Sequence, residues 1–287
     1  MKNNLKYFGT GVTVQLDKEI TLGDVKKTVG AVFVIKSIND LGNWMQTTMD
    51  DKVHANIKHN RSMDVDYTGW RGSDTVEDWL QVIKRGDKNV MNEIIVEKKK
   101  ASKEFATLVT NSSMYDTEGL YFDIGKVLSG EPECWVKPSK AELPDEITVR
   151  ITTLASSSTN AKKIIKGAGR VLGMIDKLEK DGYKVKLENW LYTERATKSG
   201  AKNKIDLLTV MTVKDFNESI NYAKMSAMVS PSLQRRGMFM LREVLLDKKL
   251  SPTYGMGGVF NYREITPIFD ERAMDELQDI LFENKKA

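Results

Sequence analysis

Cysteine is nearly absent from this chain: Cys134 stands alone among 287 residues. One thiol closes no internal disulfide and builds no cysteine-based zinc site, so a reducing compartment is expected. Histidine is scarce as well, with only His54 and His59. Both fall on one polar stretch, short of the convergent donor sets that metals need, and no metal or other cofactor is expected. No apolar run approaches the length that crosses a bilayer. The opening residues Met1-Lys2-Asn3-Asn4-Leu5-Lys6 carry no apolar core of a signal peptide. A cytoplasmic protein without membrane contact is the expectation. Low-complexity tracts and internal repeats are missing too. What is present, 40% hydrophobic and 29% charged residues, is a folded composition. The length suits one large or two ordinary domains.

Charge is unevenly placed along the chain. Residues 151–204 hold twelve Lys and Arg against five Asp and Glu, while residues 38–79 hold eight acids against four bases. Residues 264–287 hold seven acids against three bases, so the net charge of +4 conceals a basic segment flanked by acidic ones. A basic stretch of this kind marks a polyanion partner, of which nucleic acid is the usual one.

The pattern of apolar residues predicts short strands at 12–16 and 31–35 and a helix capped by Ser37. Ser73, followed by Asp74, Glu77 and Asp78, reads as the N-cap of a second helix that Gly86 ends. A third helix spans about 90–108. Pro138 and Pro144 mark the clearest boundary. Beyond it, residues 147–154 alternate as a strand, residues 161–180 trace one apolar helical face, and Gly182 stops that helix. Strands at 183–192 and 205–213 follow, then helical patterns at 217–229, 232–247 and 270–282. The expected fold is α/β. A C-terminal lobe, residues 146–287, has a βαβ unit in a parallel-sheet core, and an irregular α+β N-terminal lobe, residues 1–145, packs on it.

Gly167, Gly169 and Gly173 do not make a nucleotide fingerprint. That fingerprint needs its glycines in the strand-to-helix turn, and here they sit about two turns into the helix, where close packing accounts for them. Ser156-Ser157-Ser158 do occupy such a turn. Their position and the strand–long helix–Gly-Tyr–strand layout distantly resemble a von Willebrand A domain. That family carries an Asp-x-Ser-x-Ser metal motif there, and Leu154 stands where the Asp would be, so the resemblance implies no metal site. No nucleophile–base constellation stands out, and a non-enzymatic role is expected.

The basic residues form the coherent signal. Lys163, Lys166, Arg170 and Lys177 share a face opposite the apolar one, with Lys162 beside them. Residues 195–204 add Arg195, Lys198, Lys202 and Lys204 among Gly and Ser. Just before them stand Trp190 and Tyr192, on one face of a strand. Aromatics beside flexible bases are how sequence-tolerant single-strand binders work. Of the pair, Tyr192 is expected to be the exposed stacker and Trp190 the buried one. Of the adjacent Arg235 and Arg236, one is expected to face outward, and Arg235 joins the candidate set. That set is Lys162, Lys163, Lys166, Arg170, Tyr192, Arg195, Lys198, Lys202, Lys204 and Arg235.

Four pieces in order carry a resemblance: Gly69-Trp70-Arg71-Gly72-Ser73; Leu128-Ser129-Gly130-Glu131-Pro132-Glu133-Cys134-Trp135; the Gly167-Ala168-Gly169 helix ending at Asp181-Gly182-Tyr183; and Pro231-Ser232-Leu233-Gln234-Arg235-Arg236-Gly237-Met238-Phe239. The chain resembles a family of phage-encoded proteins. In size and charge pattern it is similar to the early DNA replication cofactors of short-tailed phages that carry a virion RNA polymerase. That resemblance implies non-specific single-stranded-DNA binding, self-association, and a supporting role in phage DNA replication and transcription. A phage polymerase would be a partner, and the host cytoplasm the location. Two other readings stay open: an enzyme acting on nucleic acid, and a virion structural or assembly protein.

Overall fold

The two N-terminal strand expectations are the ends of one longer hairpin. β1 (Val12–Leu22) and β2 (Val25–Ile35) pair antiparallel over their whole length. The inner halves escape a hydrophobicity reading because Asp17, Lys18, Glu19, Lys26 and Lys27 interrupt the apolar pattern. The computed structural model describes residues 5, 7–22, 25–50, 65, 72–106, 113–116, 121–122, 135–138, 146–155, 159–193, 206–246 and 265–282.

Three helices follow the hairpin: α1 (Ile38–Asp50), α2 (Val76–Arg85) and α3 (Lys88–Ala106). Ser37 caps α1, its hydroxyl accepting from the Asp40 amide at 3.2 Å. The N-cap of α2 is Thr75, not Ser73: Thr75 and Asp78 exchange side-chain and backbone bonds in a capping box. Gly86 ends α2 at φ 75°, as its position predicts. β3 (Ser113–Asp116), β4 (Tyr121–Phe122) and β5 (Trp135–Pro138) form a small antiparallel sheet.

The C-terminal half contains the expected βαβ unit. β6 (Glu146–Thr152) leads through α4 (Ala161–Lys180) to β7 (Lys184–Thr193), and β6 and β7 pair in parallel. Asn160, rather than the preceding serines, caps α4 by accepting from the Lys162 amide. Gly182, at φ 96°, closes its C-terminus with the Tyr183 amide donating to the Leu178 carbonyl at 3.1 Å. β8 (Leu207–Lys214) follows, then α5 (Tyr222–Val229). A π-helical turn over Leu233–Met238 runs into α6 (Phe239–Leu246). β9 (Thr266–Pro267) and α7 (Glu271–Phe282) complete the described chain.

The fold is mixed α/β. The large sheet has the order β1-β2-β8-β7-β6-β9. Its core is not wholly parallel, as the sequence reading had it: β8 runs antiparallel to β7 and parallel to β2. β8 returns beside β7 after residues 194–206, Thr193 pairing with Leu207 and Tyr192 with Leu208. The boundary read at residue 145 does not divide this sheet, because β2 from one half pairs with β8 from the other. One continuous core lies between the sheet and the helices, with Phe33, Ile151, Leu187 and Met211 meeting Leu41, Trp79, Ile94 and Val171.

The glycines of α4 are packing residues. A Cβ on Gly169 would stand 2.4 Å from the Glu97 Cβ and 2.9 Å from the Lys98 amide nitrogen of α3. One on Gly173 would stand 2.8 Å from the Ala101 Cβ. Along this contact Asp176 accepts from Lys98 at 2.9 Å and from Lys180 at 3.0 Å. Burial works against the Asp176 charge, but the bonds from Lys98 and Lys180 outweigh it and hold its pKa below the ordinary carboxylate value. Burial likewise opposes the Lys98 charge, and Asp176 raises that pKa all the same. A depressed carboxylate pKa contributes stability above its unfolded value and loses it as pH falls through the folded one. Asp176→Asn should therefore cost stability near neutral pH. The gap in Tm between wild type and variant should close as pH drops below about 4. Thermal scans down that range check it, and a constant gap would refute it.

Candidate functional site

The four candidate cations of α4 divide into two pairs. Lys162 and Lys163 lie exposed in its first turn. Lys166 and Arg170, one and two turns further, meet α7: Lys166 donates to Glu271 at 2.8 Å. Arg170 pairs with Asp275 at 2.6 Å and donates to Gln278 at 2.7 Å. The hydrogen bond to Glu271 raises the Lys166 pKa, and the same bond lowers that of Glu271. The acidic C-terminal segment thus answers part of the basic helix. Lys177 is also engaged, with Asp181 at 2.5 Å.

The strand aromatics are placed the opposite way from the expectation. Tyr192 is buried at 2% exposure among Val29, Val32 and Leu208, and its hydroxyl donates to Asp206 at 2.7 Å. It is no stacking platform. Trp190 is the half-buried one. Both lie on the side of β7 away from α4, because Val185, Leu187 and Leu191 take the helix side. Trp190 packs against the apolar cluster of Val29, Val32, Tyr192 and Leu208 and also has charged neighbours. Its indole N–H donates to Glu188 at 2.9 Å, and the Arg150 guanidinium sits 5.3 Å from the ring centroid, within cation–π range. Lys186 adds a second cation, 2.8 Å from Glu188. Arg150 and Lys186 escaped the sequence reading because each looks like an ordinary outward residue of a strand.

Arg195, Lys198, Lys202 and Lys204 lie outside the described residues, as do Ser156–Ser158, His54, His59 and Cys134. The ends that carry residues 194–206 are described. Thr193 pairs with Leu207 at the close of β7 and the start of β8. Because β6 and β7 are parallel, the N-terminus of α4 lies at this same end of the sheet. Leu154, just past β6, is buried at 3% exposure.

A buried polar belt underlies this end, and sequence reasoning missed most of it. Asn189 accepts from the Thr153 amide at 3.1 Å and donates to the Thr153 hydroxyl at 3.0 Å. Gln234 donates to the Thr153 carbonyl, and Arg242 to the Thr193 hydroxyl. Arg236, fully buried, donates from Nε to the Ser73 hydroxyl at 2.8 Å and from its terminal nitrogen to the Ser73 and Asp74 carbonyls at 2.6 and 2.8 Å. Of the double arginine, Arg236 is thus a structural clamp and Arg235 is half-buried. The signal was legible in part: Asn189 and Thr193 take inward positions on β7, where apolar residues belong.

The sequence model of one family, described as a domain of unknown function (DUF7192), matches residues 18–277, from β1 into α7. The chain belongs to the DUF7192 family. No curated protein and no solved structure matches it. Within this DUF7192 chain, no helix among the described residues is long and apolar enough to cross a membrane.

Proposed function

We propose that this protein binds single-stranded DNA without sequence preference, as an accessory factor in phage DNA replication and transcription. The observation that carries the reading is convergence. Lys162 and Lys163 on the first turn of α4 and the root of segment 194–206, whose sequence is basic, share one end of the sheet, and Arg150 and Trp190 stand near that end on the opposite face of β6 and β7. A strand of nucleic acid needs cations for its phosphates and a π-face for its bases, and both are present there. Trp190 takes the stacking role first given to Tyr192.

The test is fluorescence anisotropy with labelled single-stranded and duplex oligonucleotides across a salt series. Affinity for the single strand should fall steeply with ionic strength, each phosphate contact adding about 0.7 to the slope. Replacing Lys198, Lys202 and Lys204 together by Ala should lower affinity and slope for all sequences alike. Trp190→Ala should leave the chain folded and cost about 1–3 kcal/mol of binding. A wild-type protein that ignores both oligonucleotides at low salt would end this reading. Sedimentation of the pure protein checks self-association.

A further inference from the structure

We infer that two carboxylates of α7, Glu271 and Asp275, stand where nucleic-acid phosphates bind α4, so that phosphates reach Lys166 and Arg170 by exchange with them. The inference rests on the single-strand reading above and adds where the backbone runs and what it displaces.

The matching is one of spacing. Lys166 and Arg170 are one helical turn apart, and so are Glu271 and Asp275, which they bind at 2.8 and 2.6 Å. Four residues of helix rise about 6 Å, a repeat of the same order as successive phosphates along an extended strand. Arg170 already bonds a carboxylate and the Gln278 amide oxygen together. A planar guanidinium can turn the same donors to phosphate oxygens.

Exchange is cheap because the ionic ends are wet. The side chains of Lys166, Glu271 and Asp275 are 59%, 73% and 64% exposed, with only Arg170 more covered at 21%, and pairs with exposed carboxylates contribute little to stability. The body of α7 need not move. Met274, Leu277, Leu281 and Phe282 anchor it in the core, and Phe282 stacks on Phe105 at 5.7 Å between ring centroids. Only the two carboxylate side chains have to swing aside. Lys163, exposed one turn before Lys166, also acts on Glu271 and continues the row toward the sheet end that holds the root of segment 194–206.

The experiment compares two double variants that remove equal charge from one helix. Glu271→Gln with Asp275→Asn strips the side facing α4. Glu276→Gln with Asp279→Asn strips two exposed carboxylates of the same helix that are not bonded to α4, Glu276 pairing with Arg272 instead. Binding of a labelled oligothymidine is measured by anisotropy from low to high salt, with Tm recorded for each protein. The first double variant should bind on the order of tenfold more tightly at about 0.1 M salt. Its salt slope should steepen by about 1.4, two contacts at about 0.7 each. The second should change affinity less than about twofold. Adding Lys166→Ala and Arg170→Ala to the first should abolish the gain. If the first double variant melts early, Glu271→Gln alone gives half the slope change. Equal affinities for the two doubles would overturn the exchange while leaving DNA binding intact. Absence of DNA binding in wild type and every variant would instead remove the single-strand reading itself.

Discussion

Gly167→Ala should cost about 3 kcal/mol or more, although alanine is the better helix former by about 1 kcal/mol. A Cβ at this position would stand 1.7 Å from the Ile268 carbonyl oxygen. That oxygen is backbone and has little freedom to retreat. The Ile268 amide is bonded to the Thr152 carbonyl at 3.2 Å, and β9 is paired with β6 just before it. The substitution must push β9 and the start of α7 off α4. A fall in Tm of about 6–12 °C follows from the usual entropy of unfolding. Gly182→Ala is the reference variant. Nothing lies within 4 Å of its Cβ position, but its φ of 96° strains any other residue, at about 1–2 kcal/mol. Thermal melts of the two variants side by side decide the matter. An equal or smaller loss at Gly167 would show that β9 can slide without penalty.

Arg236→Leu should cost about 3–5 kcal/mol, because it removes a fully buried guanidinium together with its charge-assisted bonds to Ser73 and Asp74. The guanidinium bonds Ser73 and Asp74, the two residues just before the cap of α2. Ser232 donates to the same Ser73 hydroxyl at 2.9 Å. Without this clamp the entry to α2 loses its tie to the π-helical turn. Arg236→Lys keeps the charge but not the fork and should fall between wild type and Leu. Limited proteolysis would locate the damage: cleavage should rise just before residue 75. A Leu variant with wild-type Tm and an uncleaved α2 entry would show that the clamp is dispensable.

The elements that were legible in the sequence are those whose signals are local. α4 and its flanking strands could be placed because an apolar stripe, a positive-φ glycine and period-two alternation each lie within a few residues. The packing role of the α4 glycines followed from their position two turns inside a helix. What was hidden depends on partners far along the chain. Helical spacing puts Lys166 and Arg170 on one face but does not reveal that residues 271 and 275 cover it. Strand alternation puts Trp190 and Tyr192 on one side but not which of them neighbours bury. Val29 and Val32, more than 150 residues earlier, bury Tyr192. The π-helical turn was hidden because its apolar positions fit an α-helix equally well. Gly237 marks the site: a Cβ there would meet the Trp79 ring at 2.8 Å.

The pairing of β2 with β8 has a consequence for synthesis. The hairpin of β1 and β2 leaves the ribosome complete at Ile35, yet the strand that pairs with its inner edge begins at Leu207. At ordinary translation rates the interval is roughly ten to thirty seconds. Through it, β2 presents unused N–H and C=O groups along an apolar strand, the kind of edge that recruits strands from other chains. Contacts this distant in sequence also slow folding once the chain is whole. The lysines and acids that interrupt the inner halves of β1 and β2, and that hid the hairpin from the hydrophobic pattern, would then serve as gatekeepers that keep the waiting edge soluble.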